Sequence, residues 1–122
     1  MTTVPRLDPE TFNEVYESVS AHAHTVKALY RTFLSNAVHL IDELKTAESD
    51  AVRQKRLHTL KGSAAMMGAA RMARLAAELQ ESGATAPPGE MHGYLHQLDD
   101  ELAATRREIE AQLNLLGSGE RH

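Results

Sequence analysis

The sequence has no cysteine and no tryptophan, and each absence restricts what the chain can be. Without cysteine, disulfides and thiolate chemistry are both excluded. Aromatic residues make up only 4% of the chain, whereas hydrophobic residues make up 42%. A core can therefore be buried, but it must rest on Leu, Ala and Met, which suit close helix packing better than a sheet. These features predict an all-α fold.

The chain also lacks an excess of positive charge and a long hydrophobic run. Its net charge is −4 with histidine neutral, and non-specific nucleic-acid binding needs positive charge opposite phosphate. No apolar run approaches the roughly 20 residues that span a bilayer, and the N-terminus lacks the basic start of a signal peptide. We therefore expect no nucleic-acid partner and no direct membrane contact.

Helical spacing of apolar residues, interrupted by glycine and proline, divides the chain into five predicted helices. The first begins at Asp8-Pro9-Glu10, with Asp8 as N-cap, and breaks near Ser20. The second ends near Thr46. The third is predicted from Ser49 or Asp50 to about Met67, with a stop at Gly68. The fourth ends before Gly83 and the break at Ala86-Pro87-Pro88-Gly89. The last runs from about Glu90 to Leu116 and is ended by Gly117-Ser118-Gly119.

Each of the four later helices carries an apolar stripe that it cannot bury alone. Short connections favour antiparallel neighbours, so we predict an antiparallel up-down four-helix bundle with a short additional N-terminal helix. The expected organisation is a flexible tail at 1–7, the bundle at 8–116 and a flexible tail at 117–122. The stripes of the second, fourth and last helices are Val26, Leu29, Tyr30, Phe33, Ala37, Leu40, Ile41 and Leu44; Met72, Leu75, Ala76 and Leu79; and Tyr94, Leu95, Leu98, Leu102, Ile109, Leu113 and Leu116.

The third helix has a second face that is unusual for a surface. At about 100° per residue, one side is a core stripe, and His58 points almost directly away from it. The core stripe consists of Leu57, Leu60, Ala64 and Met67, and the opposite face of Ala51, Gln54, Lys55, His58, Lys61, Gly62 and Ala65.

Small residues and a lysine surround His58 on this face. Gly62 lies one turn further on, where a glycine costs about 0.5–1 kcal/mol relative to alanine and lets another molecule approach the backbone closely. Lys61 is near enough to contact a group held on His58. A neutral imidazole is a nucleophile near pH 7. This combination suits phosphoryl transfer better than it suits packing.

At these residues the chain resembles the histidine phosphotransfer (HPt) family of two-component phosphorelays. The family pattern is His-x-Leu-Lys-Gly-Ser/Ala, then Gly-Ala/Leu, then an amphipathic helix closing near Leu-Glu/Gln. The likeness also extends loosely over Leu7 to Leu116. Two positions depart from the pattern, since Leu57 stands where Ala is frequent and Gln80 where Glu is frequent. The matching residues are His58-Thr59-Leu60-Lys61-Gly62-Ser63-Ala64-Ala65, Gly68-Ala69 and Glu78-Leu79-Gln80-Glu81.

The resemblance implies a role for each matching position. His58 would be the phosphoacceptor, Lys61 would stabilise the phosphoryl oxygens, and Gly62 would be the close-approach position. Gln80 would help to orient the site. The remaining residues of the His58 face are candidate positions for receiver docking, namely Ala51, Gln54, Lys55 and Ala65.

The resemblance also implies the partners. His58 would take the phosphoryl group from a receiver-domain aspartate and pass it to another receiver. Mg²⁺ is expected in the receiver's acidic pocket, and no cofactor or metal is expected on this chain. We therefore expect a carrier and not an enzyme. Two settings stay open, both cytoplasmic: a free-standing carrier, or the C-terminal module of a membrane-anchored hybrid sensor histidine kinase acting in cis.

Other readings of the same residues remain. The chain could be a helical interaction bundle that is not phosphorylated, or the phosphoacceptor domain of a chemotaxis-type kinase, whose donor is ATP. His92 and His96 have a metal-compatible spacing, but two ligands do not make a site. Met66 is expected at the edge of the core. A modest group of basic side chains either forms an ordinary solvated face or attracts the acidic surface of a receiver. This basic group consists of Arg53, Lys55, Arg56, Arg71 and Arg74.

Overall fold

The helix boundaries follow the local signals in the sequence. The computed structural model describes residues 4–19, 22–82 and 88–119, and this part of the chain contains five helices, as predicted. The predicted breaks at Ser20-Ala21 and at Gly83 to Pro87, and residues 1–3 and 120–122, lie outside the described residues. The helices are α1 (Pro9–Ser18), α2 (Ala23–Lys45), α3 (Asp50–Met66), α4 (Ala70–Ser82) and α5 (Pro88–Gly119).

The predicted caps of α3 are both present. The Ser49 side chain accepts a hydrogen bond from the backbone N–H of Val52, at 3.2 Å, which satisfies one of the unpaired donors at a helix start. Past the other end, Gly68 has a φ of +78°, a left-handed conformation that glycine adopts without steric cost. At α1, Asp8 is the N-cap residue, but its carboxylate accepts from the Thr11 hydroxyl and not from the backbone.

The four long helices form an antiparallel bundle in which α2 and α4 each pack against both α3 and α5. Tyr30, near the start of α2, donates a hydrogen bond to the carbonyl of Met67, just past the end of α3. At the other end of the bundle, Lys45 of α2 pairs with Asp99, early in α5. The all-α bundle with a short additional N-terminal helix is therefore confirmed.

The core is built from aliphatic side chains with few aromatic rings, as the composition predicts. Phe12 of α1 meets Tyr30 with ring centroids 5.2 Å apart, and this contact joins α1 to the bundle. The prediction that Leu29 is a core residue was wrong, since its side chain is 40% exposed. Other stripe positions are buried only in part, namely Leu40, Met67, Leu75, Tyr94 and Leu116.

Helical or hydrogen-bonded structure reaches into the described part of both predicted tail segments. The helix α5 continues to Gly119, beyond the predicted end at Leu116, so Gly117 does not stop it. Near the N-terminus, Arg6 forms an ion pair with Glu101 at 2.8 Å, and Arg71 donates to the carbonyl of Val4 at 2.6 Å. No helix in the described ranges is long and apolar enough to cross a membrane.

Candidate functional site

The orientation of His58 follows from what α3 buries. Leu57, Leu60 and Ala64 are all fully buried and fix one side of α3 against the core. His58 is exposed on the opposite side, as the helical wheel predicts. Within the described residues no hydrogen bond or ion pair reaches the His58 imidazole, so neither ring nitrogen is engaged in the described fold.

Most of the predicted face around His58 is exposed. Ala51, Lys55, Lys61, Gly62 and Ala65 are all exposed. Their side chains are short or flexible, so the imidazole stands above a low surface. Such a surface can receive another protein without steric obstruction.

Gly62 is not required by the packing of this chain. A Cβ atom built at Gly62 would meet no atom within 4 Å. The cost of a glycine in a helix is therefore not offset by any close contact inside the described fold.

Gln54 differs from the rest of the face because it is half-buried. Its amide Nε2 donates a hydrogen bond to the backbone carbonyl of Gln80 in α4, at 3.1 Å. The sequence predicted Gln54 as a docking position, whereas the structure places its side chain between two helices. Gln80 is half-buried too, and its side chain makes no hydrogen bond with His58 within the described residues.

The two edges of the His58 face have different neighbours. At about 100° per residue, Gln54 and Lys61 lie roughly 40° and 60° to one side of His58. The bond from Gln54 shows that this side faces α4. Lys55 lies roughly 60° to the other side, and the ion pair of Arg56 with Glu43 at 2.5 Å shows that α2 lies in that direction.

The basic group singled out in the sequence is largely neutralised by acidic neighbours. Arg53 pairs with Asp50 at 3.4 Å, Arg56 with Glu43, and Arg74 with Glu78 at 3.4 Å. Arg71 is engaged with the Val4 carbonyl. Lys55 and Lys61 have no ion pair within the described residues, so they are the cations that this face presents to an incoming anion.

Sequence reasoning missed an apolar component on the α2 side of the face. Met66, expected at the edge of the core, is 73% exposed, and Val52 is 41% exposed. The signal for Met66 was its wheel position, roughly 80° from His58 on the α2 side.

The candidate metal pair does not gather further ligands. His92 and His96 are exposed, and His96 lies 4.0 Å from the Asp100 carboxylate. Across residues 4–19, 22–82 and 88–119, no group of three or more His, Asp or Glu residues is placed to hold a metal ion.

A family model described as "Hpt domain" matches residues 28–108, which is more than half of the chain. This range includes all of α3 and α4 and therefore the whole His58 face. No curated protein and no solved structure gives a significant match.

Proposed function

Because the chain belongs to the Hpt domain family, whose members act in histidine phosphotransfer in two-component systems, we propose that His58 is its phosphoacceptor. The observation that carries this proposal is the exposed His58 at the centre of a low face, with Lys61 and Gly62 beside it. Hpt domains interact with receiver domains of response regulators, and the proposed donor is a receiver's phosphoaspartate.

In the proposed step, a ring nitrogen of neutral His58 attacks the phosphorus in line. A nitrogen–phosphorus bond forms as the aspartyl oxygen–phosphorus bond breaks, and the leaving group is the receiver's carboxylate. The attacking nitrogen uses a lone pair, so it has no proton to lose. Transfer to a second receiver is the same step reversed. Phosphoryl transfer requires mainly positioning and charge stabilisation, and a carrier needs little more than an accessible imidazole.

Three neighbours would assist this step. The Lys61 ammonium would offset negative charge on the phosphoryl oxygens, and Gly62 would let the receiver's phosphorylated loop approach the α3 backbone. Ala51, Lys55 and Ala65, with the exposed Met66, would form the receiver-docking surface. Mg²⁺ would belong to the receiver, because acidic ligands are what it prefers.

The chain would act as a carrier and not as an enzyme, since each step uses groups that the partner brings. The same proposed chemistry applies whichever receivers the chain serves and in either direction of phosphoryl transfer. It also applies if a hybrid kinase carries the chain in cis. A cytoplasmic location follows for the same reason, because receiver domains would have to reach His58.

The test is to incubate the chain with phosphorylated receiver domains and Mg²⁺, beside a His58→Gln variant. We expect acid-labile, base-stable phosphate on the wild type alone. No label from several receivers, or equal label on the variant, would favour a non-phosphorylated interaction bundle. A parallel incubation with ATP and a chemotaxis-type kinase domain separates the remaining alternative, since label from that source alone would identify a kinase-fed phosphoacceptor domain.

A further inference from the structure

We propose that Gln54 is a positioning residue for the transfer reaction: its side-chain amide ties α3 to the last turn of α4 and so holds Gln80 beside His58. This inference rests on the proposed function of His58. It replaces the docking role that the sequence suggested for Gln54.

The acceptor of the Gln54 hydrogen bond is a backbone carbonyl in the last described turn of α4. Gln80 belongs to the final turn of α4, which ends at Ser82. The last four carbonyls of an α-helix have no partner within the helix. Gln54 Nε2 lies 3.1 Å from the Gln80 carbonyl oxygen, so a side chain of α3 bonds directly to the backbone of this turn of α4.

The bond lies one turn from the proposed phosphoacceptor. Gln54 precedes His58 by four residues, and both lie on the same side of α3. Because α3 and α4 run antiparallel, the turn of α4 before Gln80 is level with His58. Side chains in a helix lean toward its N-terminus, so the Gln80 side chain leans toward the level of His58. The Gln54 bond thereby fixes the distance of Gln80 from α3 and its position along the α3 axis relative to His58.

The chemical consequence concerns the two nitrogens of the imidazole. In neutral histidine one nitrogen carries the proton and the other carries the lone pair that can attack phosphorus. An amide held alongside favours one tautomer by donating to, or accepting from, a ring nitrogen. Buried Leu79 sets the rotation of the last turn of α4, and Gln54 sets its separation from α3. Gln54 would therefore act on His58 through Gln80.

The decisive variant is Gln54→Met, which keeps the side-chain length and removes the donor. We expect the maximal single-turnover rate of transfer to fall by about threefold to tenfold, the size expected for one lost hydrogen bond, with the half-saturating receiver concentration unchanged. Gln54→Lys, which restores an N–H donor of sufficient reach, should recover most of the rate. Gln97→Met is the matched control, since Gln97 is exposed on α5.

Two further measurements separate positioning from a merely structural role. The ¹⁵N chemical shifts of the His58 ring report its tautomer, and we expect Gln54→Met to shift them while Gln97→Met does not. In a double-mutant cycle, Gln54→Met should have no further effect on the transfer rate once Gln80→Ala is present. The effects of two substitutions are not additive when one residue acts through the other.

Several results would overturn the inference. A change confined to the half-saturating receiver concentration would return Gln54 to a docking role. Unchanged His58 shifts, or additive effects of the two glutamines, would show that Gln54 does not act through Gln80. If the wild-type chain accepts no phosphoryl group, the proposed function fails, yet the ring shifts of His58 still decide whether Gln54 orients it.

Discussion

Gly62 and Gly93 are both exposed residues inside helices, and a Cβ atom at either position would meet nothing within 4 Å. The fold of this chain therefore gives no steric reason for a glycine at either place. The two differ only in location, because Gly62 lies one turn from His58 and Gly93 lies on α5. This pair allows the fold and the proposed function to be tested separately.

Replacement of Gly62 by alanine should make the protein more stable and a poorer phosphoryl acceptor. The gain arises because alanine has less backbone entropy to lose in a helix, about 0.5–1 kcal/mol. The loss arises because the new methyl group stands where the receiver would approach the α3 backbone. Chemical denaturation measures the first effect and the transfer rate from a phosphorylated receiver measures the second.

Gly93→Ala is the control for this prediction. It should give a similar gain in the free energy of unfolding and leave the transfer rate unchanged. If Gly62→Ala is stabilising without any loss of transfer, Gly62 does not serve as a close-approach position, and its presence has no explanation in the site.

At the scale of elements, the turn between α3 and α4 is held by contacts from α1 and α2. The backbone N–H of Asp8 donates to the Gly68 carbonyl at 2.7 Å, and Tyr30 donates to the Met67 carbonyl at 2.9 Å. Consecutive carbonyls after the end of α3 are thus satisfied by two other elements. The end of the helix that carries His58 is fixed by this turn.

Gly68→Ala should therefore destabilise the protein, in contrast to Gly62→Ala. Gly68 has a φ of +78°, and a Cβ atom there would lie 2.9 Å from the Thr11 Cβ atom. The left-handed conformation alone costs a residue with a side chain about 1–2 kcal/mol, and the contact with Thr11 adds to this. Denaturation of the two alanine variants side by side measures the difference. A Gly68→Ala variant as stable as the wild type would show that the contact with Thr11 of α1 rearranges with little cost in free energy.

The direction and the ends of α3 could be predicted from the sequence. The spacing of Leu57, Leu60 and Ala64 was sufficient to place His58 on the outer side of α3, because helix geometry converts spacing directly into direction. Ser49 and Gly68 ended the helix where local chemistry predicts. These features are local, so a single sequence carries them.

The features that the sequence did not reveal depend on contacts between distant residues. The Gln54 bond to Gln80 spans α3 and α4, and the engagement of Arg6 with Glu101 joins the N-terminal segment to α5. Nor does periodicity indicate that Leu29 stays exposed, since that depends on where α2 meets α3. Gly117 was expected to stop α5, yet the helix continues to Gly119.

At the scale of the whole molecule, two titratable groups tie opposite ends of the bundle. Tyr30 is fully buried, near α1 and the end of α3, and burial raises the pKa of its phenol above the ordinary value of 10.0. At the other end, the hydrogen bond that Lys45 donates to the Asp99 carboxylate raises the pKa of Lys45 above its ordinary value of 10.5. Both groups hold their protons more tightly in the folded state than in the unfolded state.

The sign of the resulting pH dependence is the same for both groups. A raised folded-state pKa contributes stability that is fully present below the unfolded value and is lost as pH rises toward the folded value. The free energy of unfolding should therefore be insensitive to Tyr30 and Lys45 up to about pH 9 and decline above about pH 10. Because Lys45 is partly exposed and its ion pair is screened by solvent, the larger share of the decline should come from Tyr30.

Urea denaturation of wild type, Tyr30→Phe and Lys45→Met between pH 7 and pH 11 tests this assignment. Tyr30→Phe should be less stable than the wild type at pH 7 by about 1 kcal/mol, since the Met67 carbonyl loses its donor. The same variant should lose less stability between pH 9 and pH 11, because a buried phenylalanine has no proton to release. Lys45→Met should change little at pH 7 and should retain most of the alkaline decline. An equally steep decline in Tyr30→Phe would mean that groups other than the Tyr30 phenol cause the alkaline loss of stability.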